Sequence, residues 1–204
     1  MLLIERFNFI GLKGWFPRLA ASAACLVLIV DPAWSQQSPK VRDCTVSENL
    51  IEDPQFTALG GTQWQYVQHA GERSFLTNVK DGVLEIKRSG PEPWMILRQS
   101  IEHGVVKEGR LKFSADVKGS IGTQPQLHGF PHVAGLWLQA GDMAPDSIVA
   151  EHKPNEGYWD WQRVSIEIPT SPRHGFSYAG FAHQAYGSIW IKNPVLLIEV
   201  CDAK

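Results

Sequence analysis

The 204-residue chain has only three cysteines and three methionines, and its charges nearly cancel: 19 basic against 21 acidic side chains leave a formal net charge of −2. With a pI near 6.4, it lacks the electrostatic footprint of a nucleic-acid-binding protein. It also lacks a lysine- and arginine-rich cluster of the kind that holds a protein to an acidic membrane surface. No apolar run approaches the roughly 20 residues needed to span a bilayer. No window carries a sustained helical repeat of apolar residues. GxSxG, HExxH and phosphate-loop motifs are absent too. What the chain does have is 44% hydrophobic residues and eight tryptophans. That composition belongs to a globular protein, and the length favours one domain.

The first 35 residues read as a secretory leader. Arg6, Lys13 and Arg18 form a positive start, Leu19 to Val30 an uncharged apolar core, and Ala33-Trp34-Ser35 a small-residue cleavage site before Gln36. Cys25 lies inside the apolar core instead of after it, the wrong order for a lipoprotein. Residues 36–47 then form a polar lead, and 48–204 the folded domain. After cleavage six Trp and two Cys remain. In an oxidising compartment the pair Cys44 and Cys201 reads as a disulfide joining the two ends of the domain. Closing a loop of roughly 157 residues is worth at most about 5 kcal/mol in the chain-entropy picture.

The apolar stretches alternate with period two. Leu84 and Ile86 alternate with Glu85 and Lys87. Leu111, Phe113, Ala115 and Val117 alternate with Lys112, Ser114, Asp116 and Lys118. Val164, Ile166 and Ile168 alternate with Arg163, Ser165 and Glu167. Such alternation marks half-buried strands. Turn clusters separate them, with Asp81-Gly82 the clearest tight-turn signal. Many short strands with one apolar face each predict an all-β fold, two antiparallel sheets packed as a sandwich. The connections Ser120–Pro131 and Gly141–Gly157, rich in polar residues, Gly and Pro, read as surface loops.

The order of landmarks is informative: NLIEDPQF (Asn49–Phe56), Trp64, DGVLEIKRSG, Gln99 in LRQSI, EGRLKFSADVKG, YWDWQRVSIEIP and SIWIKNPVLL. Over residues 48–199 it resembles the galactose-binding-like jelly rolls of the carbohydrate-binding modules attached to xylanases and glucanases. The resemblance implies a jelly-roll β-sandwich that binds a carbohydrate. In that family a closing acidic pair often helps hold a structural calcium. Here Lys192-Asn193 stands in its place, with Asp53 in the opening segment. A lysine there opposes a cation that wants several oxygen ligands, so calcium is not expected and no other cofactor is implied.

Sugar recognition needs flat aromatic faces and a few polar groups for hydroxyls. If Met95 and Leu97 face the core, Trp94 and Arg98 face outward together. If Leu136 and Leu138 face inward, Trp137 and Gln139 face outward. These four are the leading ligand-binding candidates. The register of 175–187 stays open: His183 and Gln184 point to opposite faces, so only one of them lines a shared cleft, and Tyr186 follows near a turn. Trp64 and Trp161 read as packing residues, and Tyr158 and Trp159 as either packing or a rim. His128 and His132 are four apart, but Gly129 and Pro131 disfavour a helix that would align them on a metal. The outward acids Glu85, Asp116, Asp160 and Glu167 sit in no glycosidase signature.

The leading reading is an exported, non-catalytic sugar-binding sandwich without a membrane span. One alternative is a jelly-roll lyase or hydrolase using Arg98, Gln139, His183 and Tyr186. Another is an envelope structural domain with a protein partner.

Overall fold

A computed structural model of the protein describes residues 44–104, 109–124, 129–130, 132–141, 147–170 and 175–201. The segment 1–35 read as a leader, His128 and the expected turn at Ser171-Pro172 lie outside the described residues. Where the sequence alternates, the backbone is extended. The strands are β1 (Cys44–Val46), β2 (Gln65–Gln68), β3 (Phe75–Lys80), β4 (Val83–Arg88), β5 (Met95–Glu102), β6 (Gly109–Ile121), β7 (Ala134–Ala140), β8 (Ile148–Glu151), β9 (Gly157–Thr170), β10 (Phe176–His183) and β11 (Gly187–Cys201). One sheet has the order β3-β4-β11-β6-β9, with β1 also paired to β11. The second has the order β2-β5-β10-β7-β8. Every pairing is antiparallel.

This is the two-sheet sandwich that the alternation predicts. Leu84, Ile86, Leu111, Phe113, Ala115 and Val117 of one sheet meet Met95, Leu97, Leu136, Leu138 and Phe181 of the other in one buried core. Phe181 is its hub, 5.6 Å from both Trp64 and Phe113 and 5.9 Å from Phe56 between ring centroids. Burying one such side chain stabilises the fold by about 1.5–3 kcal/mol. Trp64 is a core residue whose indole N–H donates to the Asp53 carbonyl at 2.9 Å.

Asp81 and Gly82 both adopt positive φ, and β3 and β4 pair up to Lys80↔Val83 around them. That is the tight hairpin an Asp-Gly pair favours, because its backbone twist matches that of the strands. The ends of the domain are joined by the Cys44–Cys201 disulfide across the β1–β11 pair.

Both long connections differ from the loop reading. Ser120 and Ile121 complete β6, and the stretch 141–157 contains β8. β8 is a four-residue edge strand in which Ile148 and Ala150 face the core, too short for alternation to reveal it. No helix among the described residues is long and apolar enough to cross a membrane.

Asp53 explains itself without a cation. Its carboxylate accepts from Thr57 N and Oγ1 at 3.0 Å and from Ala58 N at 2.9 Å. Burial works to raise its pKa, but the N–H groups of Ala58 and Thr57 outweigh it and hold the carboxyl below the ordinary range. At the position where the resembled modules carry a closing acidic pair, Asn193 donates to Asp116 at 2.7 Å. Lys192 lies over Trp161 with its Nζ 4.4 Å from the ring centroid. These groups do not fit a calcium site.

Candidate functional site

Strand pairing places the candidates. One straight row crosses the outer face of the five-stranded sheet: Gln65 pairs with Arg98, Arg98 with Gly180, Gly180 with Trp137 and Trp137 with Glu151. The next row runs Ser100–Tyr178–Gln139–Val149. The row on the other side is Val67–Ile96–Ala182–Gly135. Since side chains alternate across a strand, Arg98, Trp137, Gln139 and Tyr178 share the face turned away from the core. Trp94 precedes β5 on the same parity.

At the centre of this face the outward positions of β10 and β7 include the small residues Gly180, Ala182 and Gly135. A Cβ on Gly180 would collide with the Leu97 carbonyl, and one on Gly135 with the His152 ring. Larger groups gather around this low centre. The Arg98 guanidinium lies 4.0 Å from the Tyr178 ring centroid, and Tyr178 leans on Trp137 (6.5 Å) and Phe176 (5.5 Å). Val133, Trp137 and Ala182, with Ile96 and Tyr178 against them, form a small apolar cluster separate from the main core. At the far end Trp94 meets His69 edge-on at 6.1 Å, and His69 meets Phe130 at 6.1 Å.

Trp137 and Gln139 face outward as predicted, yet neither is open. Trp137 is 5% exposed, and Gln139 is buried with its amide donating to the Gly141 carbonyl at 3.2 Å. Trp94, Arg98 and Tyr178 are each half-buried, and Gln65, Ser100, Val149 and Glu151 of the same rows are exposed.

Buried polar atoms without partners mark this same face: Arg98 Nε, His152 Nδ1 and Gln184 Oε1. Buried polar groups are nearly always paired, by protein or by water; five further such atoms, on Gln99, His132, Trp159, Thr170 and His183, show that the feature is not confined to this face. Burial pushes His152 below its ordinary pKa, so its ring is held neutral.

The open register of 175–187 resolves in favour of Gln184. It continues the outward row of β10, its N–H donating to the Val133 carbonyl at 2.6 Å. His183 is a correction to the candidate set. It points into the interior with Met95 and Ala134 as cross-strand neighbours. It is fully buried against Phe75 at 5.5 Å, with Nδ1 accepting from Ala185 N–H. Burial pushes its pKa down to about 3, with Arg88 and His132 adding to the fall. Tyr186 is a second correction, since its ring receives the Arg88 guanidinium at 4.3 Å instead of joining Arg98. The set Arg98, His183 and Tyr186 needed for lyase chemistry therefore does not converge.

Tyr178 and His152 escaped the sequence reading. In GFSYAGFAH, Phe176, Tyr178 and Phe181 are all large, and the small residues at 179, 180 and 182 blur the parity. Anchoring Phe181 in the core is what puts Tyr178 outside.

No family model matches the chain, and no curated protein matches it by sequence. Among solved structures it is similar to the enzymatically active domain of tailspike protein 4 of bacteriophage CBA120, with TM-score 0.53 and 13% identity. That match covers 76% of this chain and 21% of the tailspike chain. It is also similar to TmCBM61, solved with β-1,4-galactotriose, with TM-score 0.46, 15% identity and coverage of 74% and 98%. A CBM4 structure follows with TM-score 0.44, 13% identity and coverage of 74% and 99%. What such likeness carries is fold: the described domain is a two-sheet antiparallel jelly-roll β-sandwich.

Proposed function

We propose that the protein is an exported, non-catalytic β-sandwich that binds a carbohydrate along the outer face of its five-stranded sheet. The observation that carries this reading is the Arg98–Tyr178 pair, both side chains half-buried on the outer face. A guanidinium carbon 4.0 Å above an aromatic ring centroid is held in place by that ring, and its N–H donors suit the hydroxyl oxygens of a sugar. Trp94 offers a second aromatic surface. It lies four residues from Arg98 along the chain, roughly 13 Å away in extended backbone, a separation that favours an extended glycan over a single sugar unit. Trp137 and Gln139 act from beneath, Trp137 by supporting Tyr178.

Export is supported by the leader-like residues 1–35 and by the Cys44–Cys201 disulfide, a bond that persists in oxidising compartments. N-terminal sequencing of the protein recovered from its producing cells is expected to begin at Gln36. Recovery of the intact N-terminus in the cytoplasm contradicts export.

The binding reading is tested on an array of glycans. Wild-type protein is expected to bind at least one class, and Arg98→Ala to weaken that binding at least tenfold while the fold is retained. No binding to any glycan overturns the reading. A protein then recovered by crosslinking in the envelope would favour an interaction domain instead. Release of reducing ends or unsaturated uronates from a bound polymer would favour an enzyme.

A further inference from the structure

We propose that the outer face of the six-stranded sheet carries a second glycan subsite, built on Trp190 and taking an uncharged oligosaccharide, so that one sandwich can hold a sugar chain on each face. This rests on the carbohydrate reading above and adds a site that reading does not use.

The register builds this face as a straight row as well. Asn78 of β3 pairs with Glu85 of β4, Glu85 with Trp190 of β11, and Trp190 with Lys118 of β6. On β9 a register shift opposite Val117–Gly119 brings Asp160 to the row, with its Oδ1 4.0 Å from Lys118 Nζ. At about 4.8 Å per strand the row spans on the order of 19 Å. Trp190 is half-buried, so its indole keeps an accessible part in the centre of the row. Lys118 Nζ lies 5.9 Å from the Trp190 ring centroid and 5.4 Å from that of Tyr158 on β9, which is 67% exposed.

Trp190 also forms one wall of an open depression of about 380 Å³, shared with Val83 and the polar residues Asn78, Lys80, Asp81 and Glu85. The composition fits a sugar. An indole and a valine offer apolar surface to the C–H side of a pyranose ring. An amide, carboxylates and an ammonium group offer both donors and acceptors to its hydroxyls. Asn78 and Glu85 spend no side-chain atom on a hydrogen bond or ion pair within the described residues, so both are free to take a hydroxyl.

Charge selects the class of sugar. Glu85, Asp81 and Asp160 alternate with Lys80 and Lys118, and Lys118 already has Asp160 as partner. The depression itself is lined by two carboxylates, Asp81 and Glu85, against one ammonium, Lys80, so acids outnumber bases and a carboxylate-bearing sugar is disfavoured, whereas neutral hydroxyls meet groups of both kinds.

The test is gel retardation of the purified protein by soluble neutral polysaccharides (β-glucan, galactan, galactomannan), with polygalacturonate as the charged counterpart. Wild type is compared with Trp190→Ala, Glu85→Ala, Arg98→Ala and the Arg98→Ala/Trp190→Ala double variant. Residual retardation of Arg98→Ala by a neutral polymer, lost in the double variant, is the expected result. The dissociation constants of Trp190→Ala and Glu85→Ala are expected to rise at least threefold. Glu85→Ala leaves the indole in place, so it carries the result if Trp190→Ala proves poorly folded. Wild-type migration of both Trp190→Ala and Glu85→Ala, with retardation lost in Arg98→Ala, overturns this inference and leaves the first face standing. Retardation that depends on Trp190 only in polygalacturonate overturns the ligand class. No retardation of wild type by any polymer overturns both readings.

Discussion

On the outer face of the five-stranded sheet Trp137 is 5% exposed, whereas on the outer face of the six-stranded sheet Tyr158 is 67% exposed and Trp190 half-exposed. Both sets point away from the core by the same alternation, and both sit in straight cross-strand rows. The difference lies in what surrounds them. Trp137 is wedged among Val133, Ala182, Ile96 and Tyr178, while Trp190 has Glu85 and Lys118 as its flanking neighbours. Strand parity therefore fixes direction, and only the neighbours decide whether a side chain is a contact surface or a support. Beneath, both sheets carry buried polar residues, Gln99, Ser177 and His183 in the five-stranded sheet and Arg88 and Thr170 in the six-stranded one.

The sharpest break of this comparison is Trp137→Ala. Because Trp137 is buried, its loss is expected to lower stability by about 3–5 kcal/mol, read by chemical denaturation. A loss below about 1 kcal/mol would mean that the two faces are alike. Trp137→Ala is for the same reason a poor probe of binding.

Acidification is the next largest effect. His183 has a folded pKa of about 3 against an ordinary value near 6.5. Between those values the unfolded chain binds a proton that the folded protein excludes, so stability is full above pH 6.5 and declines as pH falls through that window. The slope approaches about 1.4 kcal/mol per pH unit. Denaturation midpoints at pH 7 and 4.5 are expected to separate more for wild type than for His183→Gln. The smaller slope left in the variant includes His152, whose pKa burial also lowers. Asp53 and Asp116, both held below the ordinary carboxylate pKa of 3.8, begin to contribute only in more acid solution. Equal separations for the two proteins would contradict the buried neutral His183.

Arg98→Ala sharpens the comparison from the functional side. Binding is expected to weaken about tenfold, equivalent to about 1.4 kcal/mol, with little change in the melting temperature. Trp190→Ala is expected to cost less stability than Trp137→Ala, because more of its indole is open to solvent. An equal fall would place Trp190 among the supporting residues.

Much of this architecture is legible in the sequence. Leu111, Phe113, Ala115 and Val117 alternate without a break and all face the core. Asp81-Gly82 turns where its chemistry requires, and Cys44 pairs with Cys201. Outward direction was legible for Trp94, Arg98, Trp137 and Gln139 as well. Exposure was not, since it depends on residues distant in sequence, as Trp137 on Tyr178 shows. Trp159 illustrates a second limit. It points inward over Gly119 because the β6–β9 register shifts between Val117 and Gly119, an irregularity that alternation in either strand alone does not reveal. His183 was ambiguous because its strand carries glycine and alanine where bulk would have fixed the parity.

The central claim is that the Arg98–Tyr178 pair on the five-stranded sheet contacts a carbohydrate. Affinity electrophoresis of wild type and Tyr178→Ala through gels containing a panel of soluble polysaccharides tests it most directly. The account predicts retardation of wild type by at least one polymer, strongly reduced in a folded Tyr178→Ala protein. Free migration of wild type through every polymer, or equal retardation of the two proteins, would contradict it.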